Sequence, residues 1–140
     1  EVMKKHTIIG AQMIQSLQMY KEEPLMRIAY EICRWHHERY DGRGYPDGLK
    51  GEEIPISSQV VSLADVYDAL TSKRVYKEAY SHEKAMKMIF HGECGSFNPL
   101  LLECLYDIQN KLQEELKVHS QIKNDVKEMR LVADEMMYLE

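Results

Sequence analysis

From Leu100 to the end of the chain the sequence contains neither glycine nor proline. Within that stretch Leu101, Leu105, Ile108 and Leu112 recur at a four-three-four spacing, and Ile122, Val126, Met129, Ala133 and Met136 resume it after the more polar run from Gln113 to Gln121. This is the spacing of a helical seam, and no breaker interrupts it. One long helix, or two in series, is expected. A helix of that length cannot cover its own apolar stripe, so it must fold back, pair in a coiled-coil dimer or project uncovered. Elsewhere Val and Ile fall inside helical periods and no alternating run extends beyond a few positions, so the expected fold class is all-α.

Apolar residues at Val2, Ile9, Met13 and Leu17, with Ile14 beside them, predict a first helix ending near Lys21, Glu22 and Glu23. Pro24 suits the first turn of a second helix, where its missing N–H would have had no partner, and Leu25, Ile28, Ile32 and Trp35 are its expected buried stripe. That helix delivers His36 and His37 at its end. Successive helix residues point about 100° apart, so two adjacent imidazoles serve one centre only where the helix is ending or where two metals sit side by side. From Arg39 to Ile54, Gly42, Gly44, Gly48 and Gly51, with Pro46 and Pro55, exclude regular structure and predict a long loop. Ser57 or Ser58 is the expected cap of a third helix whose Val60, Val61, Ala64, Tyr67 and Leu70 face the core, with Asp65 and Asp68 on another strip. Ser81 is the expected cap of a fourth, packed through Ala85, Met86, Ile89 and Phe90 and closed by Gly92 and Gly95; Asn98-Pro99 opens the last.

A net charge of -5 excludes a broad electrostatic hold on nucleic acid or anionic lipid, so an anionic ligand would need metals or a few placed cations. No nucleic-acid partner is expected. Cys33, Cys94 and Cys104 form no metal-knuckle spacing and leave one thiol unpaired in any disulfide scheme, which favours a reducing cytoplasm. No apolar run long enough for a membrane segment and no signal peptide is visible, and cytoplasmic localisation is the expectation. The opening residues, Glu1 to His6, read like the interior of an uncapped helix, so the chain is expected to be a piece of a longer protein.

His6, the His36-His37 pair and Asp65 combine imidazole with carboxylate, a donor set that suits zinc, iron or manganese and can hold two metals close together. Taken singly, a lone histidine such as His6 is more often an exposed helix residue, and helix carboxylates such as Asp65 and Asp68 are usually solvated. The adjacent pair followed by Glu38, Asp41 and a glycine-rich loop is more specific. Met3, Met13, Met86 and Met88 read as core filler.

Three ordered segments carry a resemblance: HHERYDGRGYPDGL from His36 to Leu49, ADVYDALTSKRVYK from Ala64 to Lys77, and GSFNP from Gly95 to Pro99. Together they resemble the HD-GYP family, a branch of the HD phosphohydrolases, over roughly His6 to Tyr106. The resemblance implies a partial HD-domain helical bundle over residues 1–106 with a helical extension over residues 107–140. It also implies a metal-dependent phosphodiesterase that hydrolyses cyclic di-GMP to the linear dinucleotide or GMP. By position, His6, His36, His37 and Asp65 resemble metal ligands, and Arg74 and Lys77 resemble the cations that contact substrate phosphate. The Gly44-Tyr45-Pro46 turn resembles the family's name-giving motif, which shapes the site and meets partner proteins. Glu38 is expected to accept a hydrogen bond from a ligating histidine, Asp68 to be structural or to support a ligand, and Asn98, where the family usually has Asp, to cap a helix. Two or three divalent metals, iron or manganese, are implied, and no side chain is assigned as nucleophile because the metals would supply a hydroxide.

One departure bears on activity. The family's paired His-Asp, and an earlier Glu ligand, precede the position matched by His6 and are not in this sequence. The 140 residues alone are therefore expected to be inactive, and the competing expectation is a catalytically inert signalling module that docks through the turn and the terminal helix, with a homodimer through that helix.

Overall fold

The computed structural model describes residues 4–17, 23–74 and 78–137; beyond Val118 in the last helix it describes the backbone and the side chains of Gln121, Ile122, Asp125, Val126 and Met129. The described residues form helices α1 (Lys5–Ser16), α2 (Pro24–Trp35), α3 (Ile56–Thr71), α4 (His82–Phe90) and α5 (Pro99–Met137), with a 3-10 turn at Gly51–Glu53. Among the described residues every regular element is helical, as expected. It divides into two compact units, Glu1–Leu102 and Glu103–Glu140.

In the first unit consecutive helices are neighbours, α1 on α2, α2 on α3 and α3 on α4. Small residues bring α1 close to α2: Thr7 and Ala11 are buried, and a Cβ added at Gly10 would lie 3.6 Å from the Cβ and Sγ of Cys33. That close approach carries His6, on the first turn of α1, toward the C-terminal end of α2. Pro24 occupies the first turn of α2 as expected. Only half of the expected α2 stripe is covered among the described residues: Ile32 and Trp35 are half-buried, but Leu25 is 73% exposed and Ile28 43%, and on α1 Met13 is 66% exposed. Periodicity marks a face that prefers burial, but it does not supply the element that buries it.

The start of α3 also differs from expectation. Pro55 stands at its N-cap and no side chain caps it. Ser58 instead donates to the Glu31 carbonyl at 2.8 Å and Ser57 to Glu31 Oε2 at 3.0 Å, so both hydroxyls tie α3 to α2. The buried face of α3 runs through Gln59, Leu63, Tyr67, Leu70 and Thr71, while Val60 is 48% exposed and Ala64 exposed. Rotating the expected face by one residue follows from those two serine bonds, which fix which side of α3 meets α2.

Ser81 caps α4, its Oγ accepting from the Lys84 amide at 3.3 Å, and Ala85, Met86 and Ile89 are buried while Phe90 is exposed. The buried Tyr67 hydroxyl and His82 Nδ1, 2.9 Å apart, join α3 to the first residue of α4. Asn98 accepts from the Leu100 amide at 3.0 Å, the cap expected of it, and donates to Gln59 Oε1 at 3.0 Å. In the second unit α5 runs without a break to Met137, one helix and not two in series. No described helix is long and apolar enough to cross a membrane.

Candidate metal centre

The site forms where α2 stops. His36 is the C-cap of α2 and still accepts helical geometry, with its amide bonded to the Ile32 carbonyl, while His37 follows in the turn. Because the helix ends there, the two rings do not diverge around an axis: their centroids are 4.1 Å apart. The His6 ring meets both edge-on, at 5.3 Å from His36 and 5.0 Å from His37. One ligand nitrogen from each of the three lies within 4.8 Å of the others.

His36 Nδ1 lies 2.7 Å from the Ile32 carbonyl oxygen, which can only accept, so Nδ1 carries a proton and Nε2 is the nitrogen turned toward His6. His37 is held below the ordinary imidazole range, first by burial and then by His36 and His6, with Asp65 acting in the opposite sense. Metal–nitrogen bonds of about 2.0–2.1 Å would place two ligand nitrogens about 2.9 Å apart at a right angle and about 3.4 Å at a tetrahedral one. The Nε2 atoms of His6 and His36, 3.2 Å apart, fall in that interval, so the residues fit a divalent metal.

The loop after His37 is folded back onto the end of α2. Gly44 crosses the Glu38–Arg39 backbone so closely that a Cβ there would lie 2.3 Å from the Arg39 nitrogen and 2.4 Å from Glu38 Cα. The Tyr45 amide bonds the His37 carbonyl at 3.2 Å, and the Tyr45 ring stacks on the His37 ring at 4.9 Å and 30°. Lys4 Nζ lies 5.5 Å from the Tyr45 ring centre. Burial, then Asp65, raises the Tyr45 hydroxyl above the usual phenol value. Asp47 anchors the turn: its carboxylate takes two bonds of 2.8 Å from Arg34 and one of 2.7 Å from the Trp35 indole. Those donors hold Asp47 below the usual carboxylate range, Arg34 first.

Glu38 departs from expectation. It is buried, and its Oε1 accepts from the Asp47 and Gly48 amides at 2.7 and 3.0 Å, not from a ligating histidine. A glycine-rich loop exposes amides with no partner of its own, and they reach the carboxylate first. Glu38 Oε2 is buried without a protein partner, and Glu38 lines a small cleft with Ile54, Ser62, Phe97 and Asn98.

Of the other expected site residues, Asp65 is exposed on α3; it acts on His37 and Tyr45 through its charge, but no carboxylate among the described residues joins the three-imidazole cluster. Asp68 accepts from the Ser72 hydroxyl at 3.0 Å and so stabilises the end of α3. Arg74 is exposed beyond α3, and Lys77 lies outside the described residues. Sequence reasoning missed Arg34, Trp35 and Asp47. Their one signal was position, directly flanking the histidine pair and the Gly44-Tyr45-Pro46 turn.

A profile described as HD domain matches residues 1–94. A cyclic di-GMP phosphodiesterase of Vibrio cholerae is 45% identical over 111 residues, covering 79% of this chain and 23% of that protein. A cyclic di-GMP phosphodiesterase response regulator of Xanthomonas campestris is 38% identical over 113 residues, covering 81% of this chain and 29% of its own length. A 3'3'-cGAMP-specific phosphodiesterase of Vibrio cholerae is 37% identical over 106 residues, covering 76% and 20%. The chain thus spans between a fifth and a third of the length of these curated relatives.

Proposed function

The chain belongs to the HD domain family, in its HD-GYP branch, and from that premise we propose that it forms the histidine-bearing part of a metal-dependent phosphodiesterase acting on cyclic di-GMP. The observation that carries this reading is the convergence of the His6 and His36 Nε2 atoms at 3.2 Å beside a neutral-leaning His37. These three imidazoles are the proposed ligands in the described residues, and Asp65, whose negative charge acts on His37, is assigned as a further ligand only by the resemblance. When bound, divalent metals, iron or manganese by the resemblance, supply Lewis acidity toward a phosphodiester and lower the pKa of water. The chain's own residues do the rest. The Ile32 carbonyl holds the His36 tautomer, Tyr45 covers one face of His37, and Arg74 and Lys77 are assigned to the substrate phosphates, which explains how an acidic protein handles a dianion.

The test is hydrolysis in the protein as encoded, loaded with Mn2+ or Fe2+, with cyclic di-GMP and 3'3'-cGAMP measured side by side. His36→Ala and His6→Ala should each abolish turnover to the linear dinucleotide or GMP. Undiminished turnover in either variant would remove the imidazoles from the mechanism.

A second reading concerns α5. The polar run does not break the seam: Glu115 and His119 fall on the same seven-residue register as Ile108 and Leu112 before them and Ile122 and Val126 after them. The exposed Ile108, Ile122, Val126 and Met129 lie on that seam. We infer that α5 pairs with a second copy as a two-stranded coiled coil, which gives the phosphodiesterase a homodimeric frame; docking of other proteins through the Gly44-Tyr45-Pro46 turn is assigned only by the resemblance.

A further inference from the structure

Three features of the turn beside the metal centre have a common cause. The Tyr45 ring lies on the His37 ring at 4.9 Å. Two residues later the Asp47 carboxylate is gripped by the forked Arg34 guanidinium, both bonds 2.8 Å, and by the Trp35 indole at 2.7 Å. Arg34 and Trp35 sit on the last turn of α2, immediately before the two imidazoles. One four-residue stretch therefore both presents His36 and His37 and holds the turn that covers His37. The Arg34–Asp47 pair is partly buried, with side chains 25% and 33% exposed, and a bidentate fork fixes orientation as well as distance.

We propose that Asp47 is a positioning residue for the metal centre: its carboxylate, held by Arg34 and Trp35, fixes the turn that lays Tyr45 on His37 and so keeps that imidazole in its ligating orientation. This rests on the reading of His6, His36 and His37 as metal ligands. The bonds from the Tyr45 amide to the His37 carbonyl and from the Asp47 amide to the Glu38 carboxylate bring the turn to the helix end, but neither constrains the rotation of the Tyr45 ring plane against His37. The Asp47 clamp, with its three side-chain donors, sets how far the turn is drawn over the ring. An Asn at this position keeps the size and the backbone amide and loses the paired acceptor that a guanidinium requires.

The test is a Zn2+ titration of the chain in competition with a chromogenic chelator, with folding followed separately by circular dichroism. Removing a group that orients a metal ligand typically weakens metal binding about 10- to 100-fold, and acting through a stacked ring puts Asp47→Asn at the lower end, about tenfold. Tyr45→Ala should show a similar loss, Tyr45→Phe should stay near the unaltered chain, and Asp47→Asn combined with Tyr45→Ala should be no worse than either alone, because both act on one contact. A merely structural role for Asp47 would lower thermal stability and leave the Zn2+ affinity of the folded fraction, and its additivity with Tyr45→Ala, as for independent sites. If Asp47→Asn does not fold, Arg34→Lys breaks the fork from the other side while keeping the charge, and must show the same loss. Unchanged affinity in folded Asp47→Asn or in Arg34→Lys overturns the proposal. Absence of Zn2+ binding by the unaltered chain overturns the metal reading itself, a different result from a variant-specific one.

Discussion

Gly44 and Gly51 separate two reasons for glycine in one loop. At Gly44 a side chain would strike the backbone of Glu38 and Arg39, with a Cβ 2.3 Å from a main-chain nitrogen, whereas at Gly51 it would meet open space but the residue has φ +58. Gly44→Ala is expected to cost about 3 kcal/mol, the upper end for forcing atoms into a packed site, and Gly51→Ala about 1 kcal/mol for the left-handed conformation alone. Urea unfolding of the two variants checks this, and equal losses would contradict it. Asp47 carries a pH signature. Its carboxylate is held below the usual range by Arg34 and Trp35, so its contribution is fully present above the unfolded value of about 3.9 and is lost as pH falls through its lower folded value. Trp35 is the single tryptophan and touches that carboxylate, so its emission should report the transition directly, with a midpoint below about 3.9. A midpoint above that value would contradict the clamp. The His36-His37 pair was legible from adjacency and the glycine-rich loop, whereas His6 joined it only through the resemblance. The clamp was not, because Arg34 and Asp47 stand thirteen residues apart and nothing in either neighbourhood announces a fork between them.

At the level of elements, the helices were legible where local chemistry decides and misjudged where a neighbour decides. Pro24, Ser81 and Asn98 act on their own helices and were read correctly. Ser57 and Ser58 had a choice between capping α3 and bonding α2, and the α2 residue Glu31 offered both a carbonyl and a carboxylate. That choice is tertiary and leaves no trace in the local sequence. Ser58→Ala is accordingly expected to destabilise by about 1 kcal/mol by leaving the Glu31 carbonyl short of a partner at a fully buried position. A thermal or denaturant melt showing no loss would mean that the bond is not holding α3 to α2. The same distinction explains the α2 stripe, where periodicity correctly located an apolar face and could not say what, if anything, covers it.

At the scale of the whole molecule, each of the two compact units carries its own prediction. For Glu103–Glu140, light scattering should give a dimer, and Ile122→Asp with Val126→Asp should convert it to a monomer, since two charges would then face each other across the seam. A monomer in the unaltered chain would refute the pairing. For Glu1–Leu102, everything proposed about phosphodiester chemistry depends on three imidazoles sharing a metal. X-ray absorption at the zinc edge of the Zn2+-loaded chain reads that sharing directly. The expected spectrum shows imidazole scattering with metal–nitrogen distances of about 2.0–2.1 Å that falls in step as His6→Ala and His36→Ala are introduced. A shell of oxygen ligands alone, or a spectrum indifferent to both substitutions, would contradict the metal centre.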